Sequence, residues 1–186
     1  MNFAEIRAEV LNLTKRPDLT TKTNSAITSA TLKAHQSNFY YKDIVEVAVE
    51  FGTSQNIQNF LPTDVLPRFR KAKYIRQWYG DATTGQPGVF FTPIQIENSL
   101  DAYNYIRTDV FYMAGQLLQI RGTNAVDRIL FGAYQHPQAT ETGYNSWIAN
   151  ELPYAIIYEA ARIIFLSIGQ QELSTGMASL VSEVIS

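Results

Sequence analysis

The chain has no cysteine and only two histidines, His35 and His136. Without cysteine there is no disulfide, no thiolate nucleophile and no Cys-ligated metal, and the composition fits a protein made in a reducing compartment. The two histidines stand in no spacing that defines a metal site, such as His-Glu-x-x-His, so each is expected to be solvated or to cap a helix. Also missing are a Gly-x-x-x-x-Gly-Lys-Ser/Thr loop, a Gly-x-Gly-x-x-Gly turn and a Gly-x-Ser-x-Gly elbow. A strong charge of either sign is lacking: the net charge is -2 and the pI about 5.7, so no global basic field recruits nucleic acid. No apolar run reaches the roughly 20 residues of a membrane span. The first residues, with Glu5, Arg7 and Glu9 among them, lack the uninterrupted apolar stretch of a signal peptide. These absences lead to the expectation of a cytoplasmic product with no membrane segment, no cofactor and no active site.

What the chain does have is apolar mass. Its 186 residues are 46% hydrophobic and 12% aromatic, enough for a real core in one structural domain carrying an inserted module. The most apolar stretch lies between Tyr154 and Ile168, where only Glu159, Arg162 and Ser167 interrupt. A helix there is hydrophobic around most of its circumference and must be buried on several sides, in a core or a subunit interface. Glu159 and Arg162 argue against a membrane helix, because charge at a bilayer centre is costly. Pro153 suits the first turn of this helix and Asn150 its cap, leaving Trp147 and Ile148 to a separate short turn. The residues expected to pack in a bundle or between subunits are Trp147, Ile148, Tyr154, Ile157, Tyr158, Ala161, Ile164 and Phe165.

Two further helices are predicted at the start. Asn2 and Glu5 have the spacing of a capping box, and Phe3, Ile6, Val10 and Leu13 follow at helical intervals until Arg16, which Pro17 pushes out of the helical region. Thr20 or Thr21 is expected to cap a second helix whose face of Ala26, Ile27, Ala30, Leu32 and Ala34 allows close approach of a neighbour. At the other end, Leu173, Met177, Leu180 and Val184 repeat at four, three and four residues, so Glu172 to Ile185 reads as a last amphipathic helix or a segment that orders on contact.

Between these segments the period changes to two. Val45, Val47, Val49 and Phe51 alternate with Ile44, Glu46, Ala48 and Glu50, and Phe69 to Tyr79 forms another extended run. Gly80 to Gly88 reads as a mobile loop. Thr108 to Met113 and Gln116 to Arg121 flank a tight turn at Ala114-Gly115, and Arg128 to Tyr134 adds a strand before His136-Pro137. The predicted fold class is α+β, a helical bundle of two N-terminal helices plus one or two C-terminal helices with an inserted antiparallel β module. Its parts are residues 1–38, 39–137 and 144–186. The carboxylates Asp43, Glu46 and Glu50 read as the solvated side of a strand, and the abundant strand aromatics as sheet or interface packing rather than platforms for bases or sugars.

One local charge cluster stands out. Arg68, Arg70, Lys71, Lys73 and Arg76 are five of the 15 basic residues, in a span without an acid. On a regular strand, Arg68, Arg70 and Arg76 share a face with Tyr74 and Trp78, while Lys71 and Lys73 point the other way with Phe69 and Ile75. Such a strand is either a charged edge that resists aggregation or a surface for DNA or an acidic partner.

Several segments carry a resemblance. Lys15-Arg16-Pro17-Asp18-Leu19, the run from Ala30 to Ser37 followed by Phe39 to Asp43, Leu66-Pro67-Arg68-Phe69-Arg70, and Ser146-Trp147-Ile148 with Pro153 to Ala161 look like the head-tail adaptor (connector) proteins of tailed bacteriophages. The order of elements resembles the tail tubular protein A and tail accessory factor adaptors of short-tailed phages. The resemblance covers most of the chain and consists of structural residues, with no catalytic signature. It implies a non-enzymatic virion protein at the head-tail junction, made in the host cytoplasm. It also implies a homo-oligomeric ring, dodecameric in relatives, that docks on the portal protein, meets a tail or nozzle protein and extends the channel through which genomic DNA passes. The basic cluster then becomes a candidate DNA-channel or portal contact. Two alternatives stand beside this reading: a tail-completion or tail-tube-end protein, and a nucleic-acid or carbohydrate binding module.

Overall fold

The computed structural model describes residues 1–80 and 84–185. Six helices run in chain order: α1 (Phe3–Thr14), α2 (Thr20–Gln36), α3 (Pro62–Val65), α4 (Trp147–Glu151), α5 (Pro153–Ser167) and α6 (Gln171–Ile185). The strands are β1 (Ile44–Phe60), β2 (Phe69–Tyr79), β3 (Gln86–Pro93), β4 (Val110–Ala114) and β5 (Leu117–Gln135). The chain forms two compact units, one of Met1–Asp43 together with the chain from His136 onward, the other of Ile44–Gln135.

In the helical unit, the starts and stops follow from local chemistry. The Asn2 side chain accepts from the Glu5 N–H at 2.9 Å and the Glu5 carboxylate accepts from the Asn2 N–H at 2.8 Å, so both bonds of the capping box are made. Lys15 ends α1 in the left-handed region, with φ 53°, ahead of Pro17. A 3-10 turn over Pro17–Leu19 leads into α2, so neither Thr20 nor Thr21 is its cap. The Ser146 hydroxyl caps α4 by accepting from the Ala149 N–H at 3.2 Å. Pro153 opens α5, whose cap position is Leu152. Asn150 has another role, because its side-chain oxygen accepts from the Met1 ammonium at 3.0 Å.

Helix α5 stops at a Schellman turn. Gly169, with φ 77°, takes the left-handed position, its N–H reaches the Leu166 carbonyl at 3.2 Å, and the Gln170 N–H reaches that of Phe165 at 2.9 Å. The core of the unit is built on α5. Ile156, Ile157, Ala160, Ala161, Ile164 and Phe165 cluster with Phe3, Ile6 and Val10 of α1, Ala26, Ile27 and Ala30 of α2, and Ile148 and Ala149 of α4. Fully burying one such aliphatic side chain contributes about 1.5–3 kcal/mol, so this cluster is the main source of the unit's stability.

In the strand unit the sheet order is β1-β5-β2-β3-β4, and β4 also pairs with β5. The strands β5, β2, β3 and β4 therefore close into a four-stranded barrel, with β1 as an extra strand on β5. Inside lie Ile75, Phe91, Phe111, Leu118, Ile120, Val126, Ile129 and Phe131. One pairing is parallel: Thr92 lies opposite Val110, and Pro93 opposite Phe111, in β3 and β4.

These findings correct the expected fold class. The protein is mixed α/β, with six helices among the described residues and a four-stranded barrel plus one extra strand. It is not two N-terminal helices and one or two C-terminal helices carrying an antiparallel β module. Some of the differences have local causes. Leu152-Pro153 and Gly169 cut the C-terminal apolar stretch into three helices, and Pro62 starts α3 among the strands. Gln116 to Arg121 and Arg128 to Tyr134 belong to one 19-residue strand, β5, rather than two. The expected loop from Gly80 to Gly88 partly lies outside the described residues, and its last part, Gln86 to Gly88, is the start of β3.

A glycine in β5 sets a cross-sheet contact. Gly132 sits between Glu46 of β1 and Tyr74 of β2, and an added Cβ would meet the Tyr74 ring at 2.3 Å. The ring can therefore cross β5 and donate its hydroxyl to Glu46 at 2.5 Å. That bond, with burial and the charge of Glu46, pushes the Tyr74 hydroxyl up to about 12. We predict that Gly132→Ala displaces the ring and returns the titration toward about 10, the ordinary tyrosine value, as read by ultraviolet absorbance. An unchanged Tyr74 titration in this variant would contradict the contact.

Candidate functional site

Bulges rearrange the basic strand. The register of β2 against β5 shifts between Phe69 and Lys71 and again between Ala72 and Tyr74. The regular alternation expected from the sequence is thereby broken. Lys71, Tyr74 and Arg76 pair opposite Tyr134, Gly132 and Leu130 and share the outer face of the sheet. Phe69, Ala72 and Ile75 face the barrel interior, where Phe69 packs on Phe131 at 5.9 Å. Lys71 thus lies opposite to its expected side.

The five basic residues do not form one uniform patch. Arg76 is directed to β3, with its Nε donating to the Gly88 carbonyl at 3.3 Å and its guanidinium over the Phe90 ring at 4.6 Å. Lys73 is exposed and lies over the Tyr134 ring at 5.9 Å. Arg68 is exposed just ahead of β2 and donates to the Gln135 side chain at 3.4 Å, while Arg70 is half-buried and Lys71 exposed. Four of the five therefore gather at the N-terminal half of β2. There the strand pairs with β5, whereas its pairing with β3 begins at Ile75.

The packing residues divide in the same way. Ile148, Ile157, Ala161, Ile164 and Phe165 lie in the core of their own unit. Tyr154 is 50% exposed and stands 5.5 Å from the half-buried Tyr158, ring centroid to centroid. Tyr158, Arg162 and Leu166 continue from Tyr154 at four-residue steps, so they form one ridge along α5. Beside them Glu159 is buried and accepts from Arg162 at 2.7 Å and from Lys33 of α2 at 2.7 Å. Burial pushes its carboxyl up, but these hydrogen bonds and charges outweigh that and hold it below the usual carboxylate range. A folded-state value below the unfolded one means that this stabilisation is present at neutral pH and is lost as pH falls through the carboxylate range.

A polar chain that the sequence reading missed runs through the helical unit. His35 is buried, not solvated: its Nδ1 lies 2.8 Å from Asp43 Oδ1 and its Nε2 lies 2.9 Å from Ser146 Oγ. Asp43 is likewise buried and accepts from the Trp147 indole N–H at 2.8 Å, so it does not belong to a solvated strand face. Glu46 and Glu50 are engaged elsewhere, with Tyr74 and Arg128. The order Ser, His, Asp is that of a nucleophile, base and acid, but Ser146 is only 4% exposed and its oxygen already caps α4. In this setting the chain joins the end of α2, the turn before β1 and the start of α4. No sequence spacing announces it, since the partners of His35 are 8 and 111 residues away.

Among the described residues no group of three or more His, Cys, Asp or Glu is placed to hold a metal, and no helix is long and apolar enough to cross a membrane. No protein-family model matches the chain, and no curated protein matches its sequence.

His35→Ala removes the central member and leaves Asp43 buried beside one remaining donor, Trp147. We predict a loss of roughly 3–5 kcal/mol, the usual cost of breaking a buried pair from one side. Urea denaturation followed by tryptophan fluorescence measures it, and a change under about 1 kcal/mol, the net value of one ordinary hydrogen bond, would contradict the assignment.

Proposed function

We propose that the protein is a structural virion component, a head-tail adaptor that assembles into a ring between portal and tail and extends the DNA channel. The starting point is the resemblance carried by the segments from Lys15 to Leu19, Ala30 to Asp43, Leu66 to Arg70 and Ser146 to Ala161. The structural observation that supports it is the uncovered ridge of α5. Tyr154 and Leu166 are 50% and 41% exposed, on a helix that buries Ala155, Ile156, Ile157, Ala160, Ala161, Ile164 and Phe165. Tyrosine and arginine, both present on this ridge, are enriched at protein interfaces.

A receiving surface lies on the same unit. A groove of about 260 Å³ between α2 and α5 is lined by small residues, Ser25, Ala26 and Ser29, together with Ile163 and Ile164. A ridge on one subunit entering a groove on the next is a heterologous contact, and such contacts give a ring when the rotation closes. In this arrangement the basic residues at the start of β2 repeat around the ring, where non-specific phosphate contacts suit a wall that DNA slides past.

Light scattering and electron microscopy of the purified chain with isolated portal test the reading. We expect closed rings for the wild type, and none for the double variant Tyr154→Asp, Leu166→Asp. The variant should keep its helical circular dichroism, because both side chains are exposed and surface changes usually stay within about 0.5 kcal/mol. Rings formed equally well by the variant, or no ring from the wild type with portal, would overturn it. Binding to the tail tube without portal would favour a tail-completion role.

A further inference from the structure

We propose that β1 is a self-pairing edge: two copies of the free chain join antiparallel along Ile44 to Glu50, about a two-fold axis at Val47. The contact is isologous and lies on the strand unit, so it goes beyond the adaptor reading and does not depend on the ridge of α5. Strand β1 pairs with β5 on one side, and no strand among the described residues pairs with its other side. From Ile44, opposite Tyr134, to Glu50, opposite Arg128, its register against β5 is unbroken, and the first shift comes after Glu50. That segment therefore presents a regular row of N–H and C=O groups outward. The usual protections of such an edge are missing. Ile44–Phe60 holds no lysine, arginine or proline. Its two carboxylates are engaged within the sheet, Glu46 accepting from Tyr74 of β2 and Glu50 from Arg128 of β5.

The sequence of the segment sets both the occupant and the register. In a continuous antiparallel sheet, directly opposite residues share a face, so the two-fold axis must pass through a residue. With Val47 on the axis, Val47 meets Val47 of the second copy, Val45 meets Val49, Glu46 meets Ala48 and Ile44 meets Glu50. No carboxylate stands directly opposite another. An axis at Glu46 would set Glu46 against itself, and one at Ala48 would set Glu46 against Glu50, arrangements that like-charge repulsion disfavours. An axis at Val45 or Val49 shortens the pairing to 44–46 or 48–50. The valine face gains from the join. Val45, Val47 and Val49 lie opposite Ala133, Phe131 and Ile129 of β5. Val49 belongs to the barrel core and Val47 packs against it, while Val45 is 37% exposed. Pairing about Val47 continues this apolar stripe from one copy into the other. The second copy thus supplies a complementary row of main-chain groups, matching valines and no opposed charge.

The test uses the full-length protein without portal. Sedimentation velocity over a concentration series should show a monomer in equilibrium with a dimer of twice the 21.0 kDa chain. The double variant Tyr154→Asp, Leu166→Asp should dimerise equally, which separates this contact from the proposed ring. Ala48 is exposed, so Ala48→Glu should keep the circular dichroism of the wild type. It sets carboxylates directly opposite each other on both sides of the axis, and we expect dimerisation about tenfold weaker. Ala48→Lys, which sets a lysine opposite Glu46, should dimerise at least as well as the wild type. Because the chain has no cysteine, single thiols report the register. Val47→Cys should give a disulfide-linked dimer on oxidation, since directly opposite Cα atoms lie about 4.5–5.5 Å apart, within the span of a disulfide. Val45→Cys alone should not, because it stands opposite Val49, but a mixture of Val45→Cys and Val49→Cys should. A monomer at every concentration, an undiminished dimer for Ala48→Glu, or cross-linking of Val45→Cys as fast as of Val47→Cys would each overturn the proposal. Rings on portal from a chain that is monomeric alone would reject this contact and leave the adaptor reading standing.

Discussion

The helical unit depends on one constraint: α5 carries apolar atoms on nearly every side and must be surrounded. Burying a single isoleucine of this helix is worth about 1.5–3 kcal/mol, comparable to a large part of the usual net stability of a domain. The neighbouring sequences answer this need. The alanines of α2, Ala26 and Ala30, let that helix approach closely, and Phe3, Ile6 and Val10 of α1 complete the enclosure. The buried carboxylate of Glu159 is tolerated because Arg162 and Lys33 both donate to it, which joins α5 to α2 by charge as well as by packing. The ridge from Tyr154 to Leu166 is what remains when this chain has covered what it can, so the same constraint that builds the core also supplies the proposed contact between subunits.

The strand unit is governed by departures from regularity. A long strand, β5, is shared by β1, β2 and β4, and the barrel closes by β5–β4 pairing. Pro93 diverts β3 from β2 to β4, and the bulges in β2 turn Lys71 to the same face as Tyr74 and Arg76.

The parts legible in the sequence were those whose physics is local. The capping box at Asn2 and Glu5, the stop ahead of Pro17, Pro153 in the first turn of α5 and the limits of β2 can all be read from a few adjacent residues. The fold class could not be read in this way, because closure of the barrel and the parallel β3–β4 pair are long-range choices. Strand β3 opens with Gln86-Pro87-Gly88, which reads as loop, and its partner in β2 supplies what its own composition lacks. His35 was misjudged for the same reason, since its burial depends on Asp43 and Ser146, brought together only by the fold. The basic strand was visible as composition, but its faces were not, since a single extra residue inverts every side chain that follows.

In the proposed ring, the exposed ridge of α5 is a contact between copies of this chain. Cryo-electron microscopy of the protein assembled on isolated portal tests that claim most directly. The account predicts a closed ring coaxial with the portal channel, in which Tyr154, Tyr158 and Leu166 of each subunit are covered by the next. A ring that leaves this ridge in solvent, or a portal that carries only separate, unassociated subunits, would contradict it.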